Sequence, residues 1–113
     1  MRRDKEYLLD ILGAARFALS YVGKMNKEDF LKDTLIQDAV IRRMEIIGEA
    51  ARRVSQETQA ILPLPWREMI GMRNLMIHEY DDIDMATVWE TVRRDLSPLI
   101  TELEKVLQPD NKK

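Results

Sequence analysis

Residues 66–80 read WREMIGMRNLMIHEY, and the spacing of apolar and polar side chains in this stretch decides what kind of protein the chain can be. At about 100° per residue, Trp66, Met69, Ile70, Met72, Leu75, Met76 and Ile77 cover a broad arc, which predicts a helix buried on most sides. Arg73 falls inside that arc, between the bearings of Met69 and Trp66. A guanidinium rarely enters a core unpaired, so Arg73 either has a buried partner or marks a site. Gly71, Asn74 and His78 share the opposite, narrower arc, a polar stripe suited to a cleft or to another subunit.

Working outward, Pro63-Leu64-Pro65 forbids a helix running straight into this stretch, and Pro65 suits the first position of a new one. On the other side, Asp81-Asp82-Ile83-Asp84 is a break in which Asp84 caps a last helix. That helix carries Val88, Val92, Leu96, Leu99, Ile100, Leu103 and Val106 on one stripe, with Pro98 expected to kink or split it near Ser97. Upstream, Ile36, Ala39, Val40, Ile47, Ala50, Ala51 and Val54 give a helix from Thr34 to Val54 an inward face. Gly48 inside it costs roughly 1 kcal/mol relative to alanine, which close approach of another backbone would justify. Glu45 and Glu49, four apart, share one face, and one of them is a candidate partner for Arg73. A first helix spans Asp4 to Val22 through Leu8, Ile11, Leu12, Ala15, Leu19 and Val22, with Gly23 as its stop. Residues 26–33, NKEDFLKD, read as a polar connection pinned by Phe30 and Leu31, with Asp29 or Asp33 capping the next helix. Ser55 to Leu62 holds a short helical turn. The expectation is therefore an all-α antiparallel bundle of four main helices with one short extra turn, a single domain over residues 1–107 and a polar tail over 108–113.

The 113 residues are 45% hydrophobic and 34% charged, the balance of a globular helical chain. No apolar run is long enough to span a membrane, and the acids at Asp4, Glu6 and Asp10 speak against a signal peptide; a cytoplasmic location is expected. There is no cysteine and one histidine, His78, so thiolate chemistry and a multi-histidine metal site within one chain are excluded, and no cofactor is expected. A net charge of −2 and a pI near 5.5 argue against a sequence-blind nucleic-acid binder. Paired arginines at 42–43, 52–53 and 93–94 leave room for a local basic cleft.

Arg73, Asn74, His78 and Tyr80 are the residues able to carry a reaction. Arginine clamps phosphate through parallel hydrogen bonds, and histidine moves protons near neutral pH. Together they suffice to cleave RNA without metal, with histidine handling the 2′-hydroxyl or leaving-group proton and arginine stabilising the phosphorane. DNA lacks that internal nucleophile. Because Arg73 and the Asn74/His78 stripe lie on different arcs, two copies of the chain are expected to cooperate in a homodimer.

The segment MIGMRNLMIHEYDDID (Met69 to Asp84), with Val88-Trp89 after it and Pro65-Trp66 and RRMEIIGEA (Arg42 to Ala50) before it, resembles the HepT-like branch of the HEPN superfamily along nearly the whole chain. Its most specific part is R-N-x-x-x-H-x-Y, here Arg73, Asn74, His78 and Tyr80. The resemblance implies a dimeric helical bundle with both copies of the motif lining one cleft. It also implies a metal-independent endoribonuclease acting as the toxin of a toxin–antitoxin pair, with Arg73 and His78 catalytic and Asn74, Glu45 and Glu49 supporting. The implied partner is a MNT-type minimal nucleotidyltransferase antitoxin that adds AMP to Tyr80. The competing function is a non-catalytic helical dimer that binds a nucleotidyltransferase or a nucleotide.

Overall fold

The computed structural model describes the backbone of residues 2–78 and 84–107 and the side chains of residues 3–72 and 84–107. Every element within those bounds is helical: α1 (Arg2–Val22), α2 (Lys27–Lys32), α3 (Thr34–Arg53), α4 (Gln56–Ile61), α5 (Trp66–His78) and α6 (Met85–Leu107). α3 packs along both α1 and α5, and α6 closes the bundle against α1. Contacts at both ends set the directions. Asp4 at the start of α1 meets Ser55 just after α3, and Tyr21 near the end of α1 meets Arg43 in the first half of α3, so α1 and α3 are antiparallel. Arg16 on α1 pairs with Glu104 on α6, while Arg93 on α6 donates to the carbonyls of Gly23 and Met25, so this pair is antiparallel too.

The core follows the apolar stripes. Leu8, Ile11, Leu12, Ala15 and Val22 of α1, Val40, Ile47, Ala50 and Ala51 of α3, and Val88, Val92, Leu96, Leu99 and Leu103 of α6 are all buried. Ile41 and Met44 join them, whereas Ile36 and Ala39 are only half-buried. Gly23 stops α1 at φ +46°, a left-handed conformation that favours glycine. Asp33 caps α3 by accepting from the Ile36 amide, and Asp84 caps α6 by accepting from the Ala86 amide.

Several expectations are corrected. Residues 26–33 are mostly helix, not a polar connection. Asn26 accepts from the Asp29 amide to start α2, and Phe30, fully buried, packs its ring 5.4 Å from that of Trp89. Burying that ring stabilises the short helix by roughly 2–3 kcal/mol, while Leu31 points outward. The bundle therefore has two short helices, α2 and α4, beside four long ones. Pro98 does not split α6, which is continuous from Met85 to Leu107. Proline removes one amide donor, for the carbonyl of Arg94, and both residues lie on the exposed face of the helix, while Leu96, Leu99 and Leu103 hold the opposite face in the core. Finally, α5 is less enclosed than its composition suggests. Met69 is fully buried, but Trp66, Ile70 and Met72 are half-buried, and Gly71 is exposed. Pro65 sits one position ahead of the helix, its carbonyl accepting from the Met69 amide.

Candidate active site

α5 is positioned from its N-terminus. Asp4 reaches across the bundle and accepts from the Ser55 amide (2.9 Å), the Ser55 hydroxyl (2.6 Å) and the Thr58 hydroxyl (2.6 Å), while the Ser55 hydroxyl accepts from the Thr58 amide to cap α4. Three donors on one carboxylate, with the Ser55 hydroxyl the largest contributor, hold its pKa down to about 2 from 3.8. Gln59 ties α4 back to the Val54 carbonyl, and the Trp66 indole N–H donates to the Leu62 carbonyl at 3.1 Å. The prolines then leave α5 one course, back along α3.

Arg73, Asn74 and His78 occupy the C-terminal half of α5, which is helical to His78 as expected; their side chains lie outside the described set, and Tyr80 lies outside the described residues. On a helix, Arg73 and His78 are five positions apart and project about 140° from each other. The helix packed against α5 is α3, whose buried Gly48 sits between Glu45 and Glu49.

Glu45 and Glu49 are both half-buried, and each has arginine neighbours on its own helix. Arg42 approaches Glu45 at 3.7 Å. Arg52 and Arg53 approach Glu49 at 3.2 and 2.7 Å, and these two do not exhaust its interactions. The Arg53 hydrogen bond above all, aided by Arg52, holds the Glu49 carboxyl below the usual carboxylate range against its partial desolvation. Both glutamates line an open cleft of about 400 Å³ between α1 and α3, together with Tyr7, Asp10, Arg42, Ile46, Ala50 and Arg53. The pairing of arginines at 42–43 and 52–53 hinted at Arg42 and Arg53. Nothing in sequence pointed to Tyr7 or Asp10, which come from another helix. Among the described residues no group of three or more His, Cys, Asp or Glu side chains is arranged to hold a metal ion, and no helix is long and apolar enough to cross a membrane.

Comparison with known proteins shows the family. A family described as "Ribonuclease HepT-like" matches residues 11–106. Among relatives, "Probable ribonuclease HepT" of Thermococcus cleftensis is 40% identical over 106 residues, covering 93% of this chain and 96% of its own length. "Putative RNase MJ1380" of Methanocaldococcus jannaschii is 37% identical over 107 residues, covering 93% and 98%. "Putative RNase TTE0752" of Caldanaerobacter subterraneus is 33% identical over 111 residues, covering 97% and 99%. No solved structure matches the chain significantly.

Proposed function

This chain belongs to the HepT-like ribonuclease family, and from that premise we propose that it is a metal-independent RNA endonuclease acting as the toxin of a toxin–antitoxin pair. The observation that carries the reading is the register of Arg73, Asn74 and His78 in a helix that continues to His78 and packs along the helix bearing Glu45 and Glu49.

In the proposed reaction His78 takes the proton of a ribose 2′-hydroxyl as that oxygen attacks the adjacent phosphorus. The bond to the next nucleotide's 5′-oxygen breaks, and that oxygen receives a proton, leaving a 2′,3′-cyclic phosphate and a 5′-hydroxyl. Arg73 donates to the non-bridging oxygens, where negative charge grows. Asn74, one turn before His78, orients the imidazole, and Glu45 or Glu49 fixes the guanidinium of Arg73. Since Arg73 and His78 diverge by about 140° on one helix, the reacting phosphate sits between two copies of the chain, one histidine acting as base and that of the other copy as acid. A MNT-type nucleotidyltransferase silences the enzyme by adding AMP to Tyr80. The adduct's phosphate competes for Arg73, and its bulk blocks RNA.

Purified protein incubated with RNA in excess chelator tests the reading. Cleavage is expected with the wild type and is expected to fall about 10²–10⁴-fold in His78→Ala and in Arg73→Ala, with helical circular dichroism retained. Wild-type protein that leaves RNA intact, or variants that cleave as well as it does, would point instead to a non-catalytic dimer that binds a nucleotidyltransferase.

A further inference from the structure

Away from the α3–α5 face, α1 and α3 hold an aromatic cluster that the bundle does not bury. Phe17 is 50% exposed, the one aromatic side chain among the large exposed hydrophobics of the described residues, beside Leu9, Leu31, Leu35 and Ile61. Tyr21 stacks beside it with ring centroids 6.1 Å apart. The guanidinium of Arg43 lies 4.4 Å from the Phe17 centroid, and its Nε donates to the Tyr21 hydroxyl at 3.1 Å. Among the described residues no carboxylate comes within ion-pair distance of Arg43, unlike Arg16, Arg42, Arg52, Arg53 and Arg94. Among the described residues Arg43 is thus a cation without a paired carboxylate, oriented by two rings and a hydroxyl.

A second feature adjoins the first. An open depression of about 400 Å³ is lined by Gly13, Arg16, Phe17 and Ser20, but not by Tyr21 or Arg43. It therefore adjoins Phe17, half of whose surface is exposed, without being lined by either of those two. A Cβ built on Gly13 would meet nothing within 4 Å, so the floor is open to a planar group sliding along α1. An exposed aromatic face beside an arginine free to take phosphate is the combination that binds unpaired nucleotides: the ring stacks the base and the cation holds the backbone.

Resting on the ribonuclease reading above, we propose that Phe17, Tyr21 and Arg43 form a subsite for single-stranded RNA outside the reacting phosphate, in which a base stacks on the bare face of Phe17 and Arg43 holds an adjoining phosphate. The subsite adds affinity for longer strands and leaves the chemistry to the motif helix. A dinucleotide too short to span both places gains nothing from it.

The test uses the full chain with a fluorescein-labelled oligouridylate bearing 2′-O-methyl groups, which can bind but cannot be cleaved, read by anisotropy. Phe17→Leu keeps apolar volume but loses the π face, and weakening of about tenfold is expected, the scale of one stacked base. Gly13→Leu, which helix propensity favours, fills the depression and should weaken binding similarly. Arg43→Gln should lower the slope of log affinity against log salt by about 0.7, one single-strand phosphate contact. Cleavage of a dinucleotide should be unchanged in all three, while cleavage of long RNA falls. Variants that bind the oligouridylate like the wild type, while the wild type cleaves RNA, overturn the subsite and leave the ribonuclease reading standing. A wild type that neither binds nor cleaves overturns both. Variants that sediment as smaller species than the wild type overturn the subsite as well, since the cluster would then be a contact between copies.

Discussion

Replacing Asp4 with alanine should cost more stability than any other single change in the first turn of α1. Its carboxylate accepts three hydrogen bonds from residues more than fifty positions away and is only 6% exposed. Its pKa falls from 3.8 to about 2 in the folded chain. At about 1.4 kcal/mol per unit, ionisation alone contributes about 2 kcal/mol, and truncation, which also strands the Ser55 and Thr58 hydroxyls, should cost about 2–4 kcal/mol. The sign follows from the direction of the shift. A depressed folded pKa gives stability that is complete above the unfolded value of 3.8 and is lost as pH falls through about 2. Urea denaturation followed by helical circular dichroism, for wild type and Asp4→Ala, should show the full gap at neutral pH and a gap narrower by about 2 kcal/mol near pH 2. A neutral-pH difference below about 0.5 kcal/mol, or a gap that does not narrow in acid, would refute the reasoning.

Tyr80→Phe should keep most of the cleavage activity yet resist silencing by a cognate nucleotidyltransferase with ATP; mass spectrometry after co-expression reads the adduct, and an AMP group found elsewhere would move the switch to another residue. Met69→Ala, at the one fully buried described position of α5, should destabilise the fold by about 2–5 kcal/mol in the same urea titration, whereas Met72→Ala, half-buried, should cost less. Light scattering at micromolar concentration should give twice the monomer mass, and a monomer that still cleaves RNA would remove the need for two copies.

The long helices were legible because each repeats a stripe over several turns, and Leu8, Val40 or Val92 can be assigned to the core from its neighbours alone. α2 was not, since six residues are too few for a period to emerge, and Phe30 in a run of charges reads as an isolated anchor. Pro98 does not split α6 as expected, since propensity counts the lost donor without knowing that Arg94 and Pro98 lie on the exposed face. For the candidate site, the motif spacing and the helix carrying it could be read directly, as could the shared face of Glu45 and Glu49. What escaped were relations across the bundle: Asp4 with Ser55 and Thr58, Tyr7 with the glutamate cleft, Arg43 with Phe17 and Tyr21. These depend on which helices become neighbours, and no local pattern records that.

Trp89 has a further consequence through what gathers around it. Phe30 packs against its ring, Arg93 lies 4.9 Å from its centroid, and the same arginine grips the two carbonyls at the turn after α1. Three segments distant in sequence, the end of α1, α2 and the first half of α6, thus share one fastening. Their amide protons should exchange with solvent as a single cooperative unit, released together at one opening free energy, while the amides of α4 answer to Asp4 at the far end. The bundle would then open from either end independently.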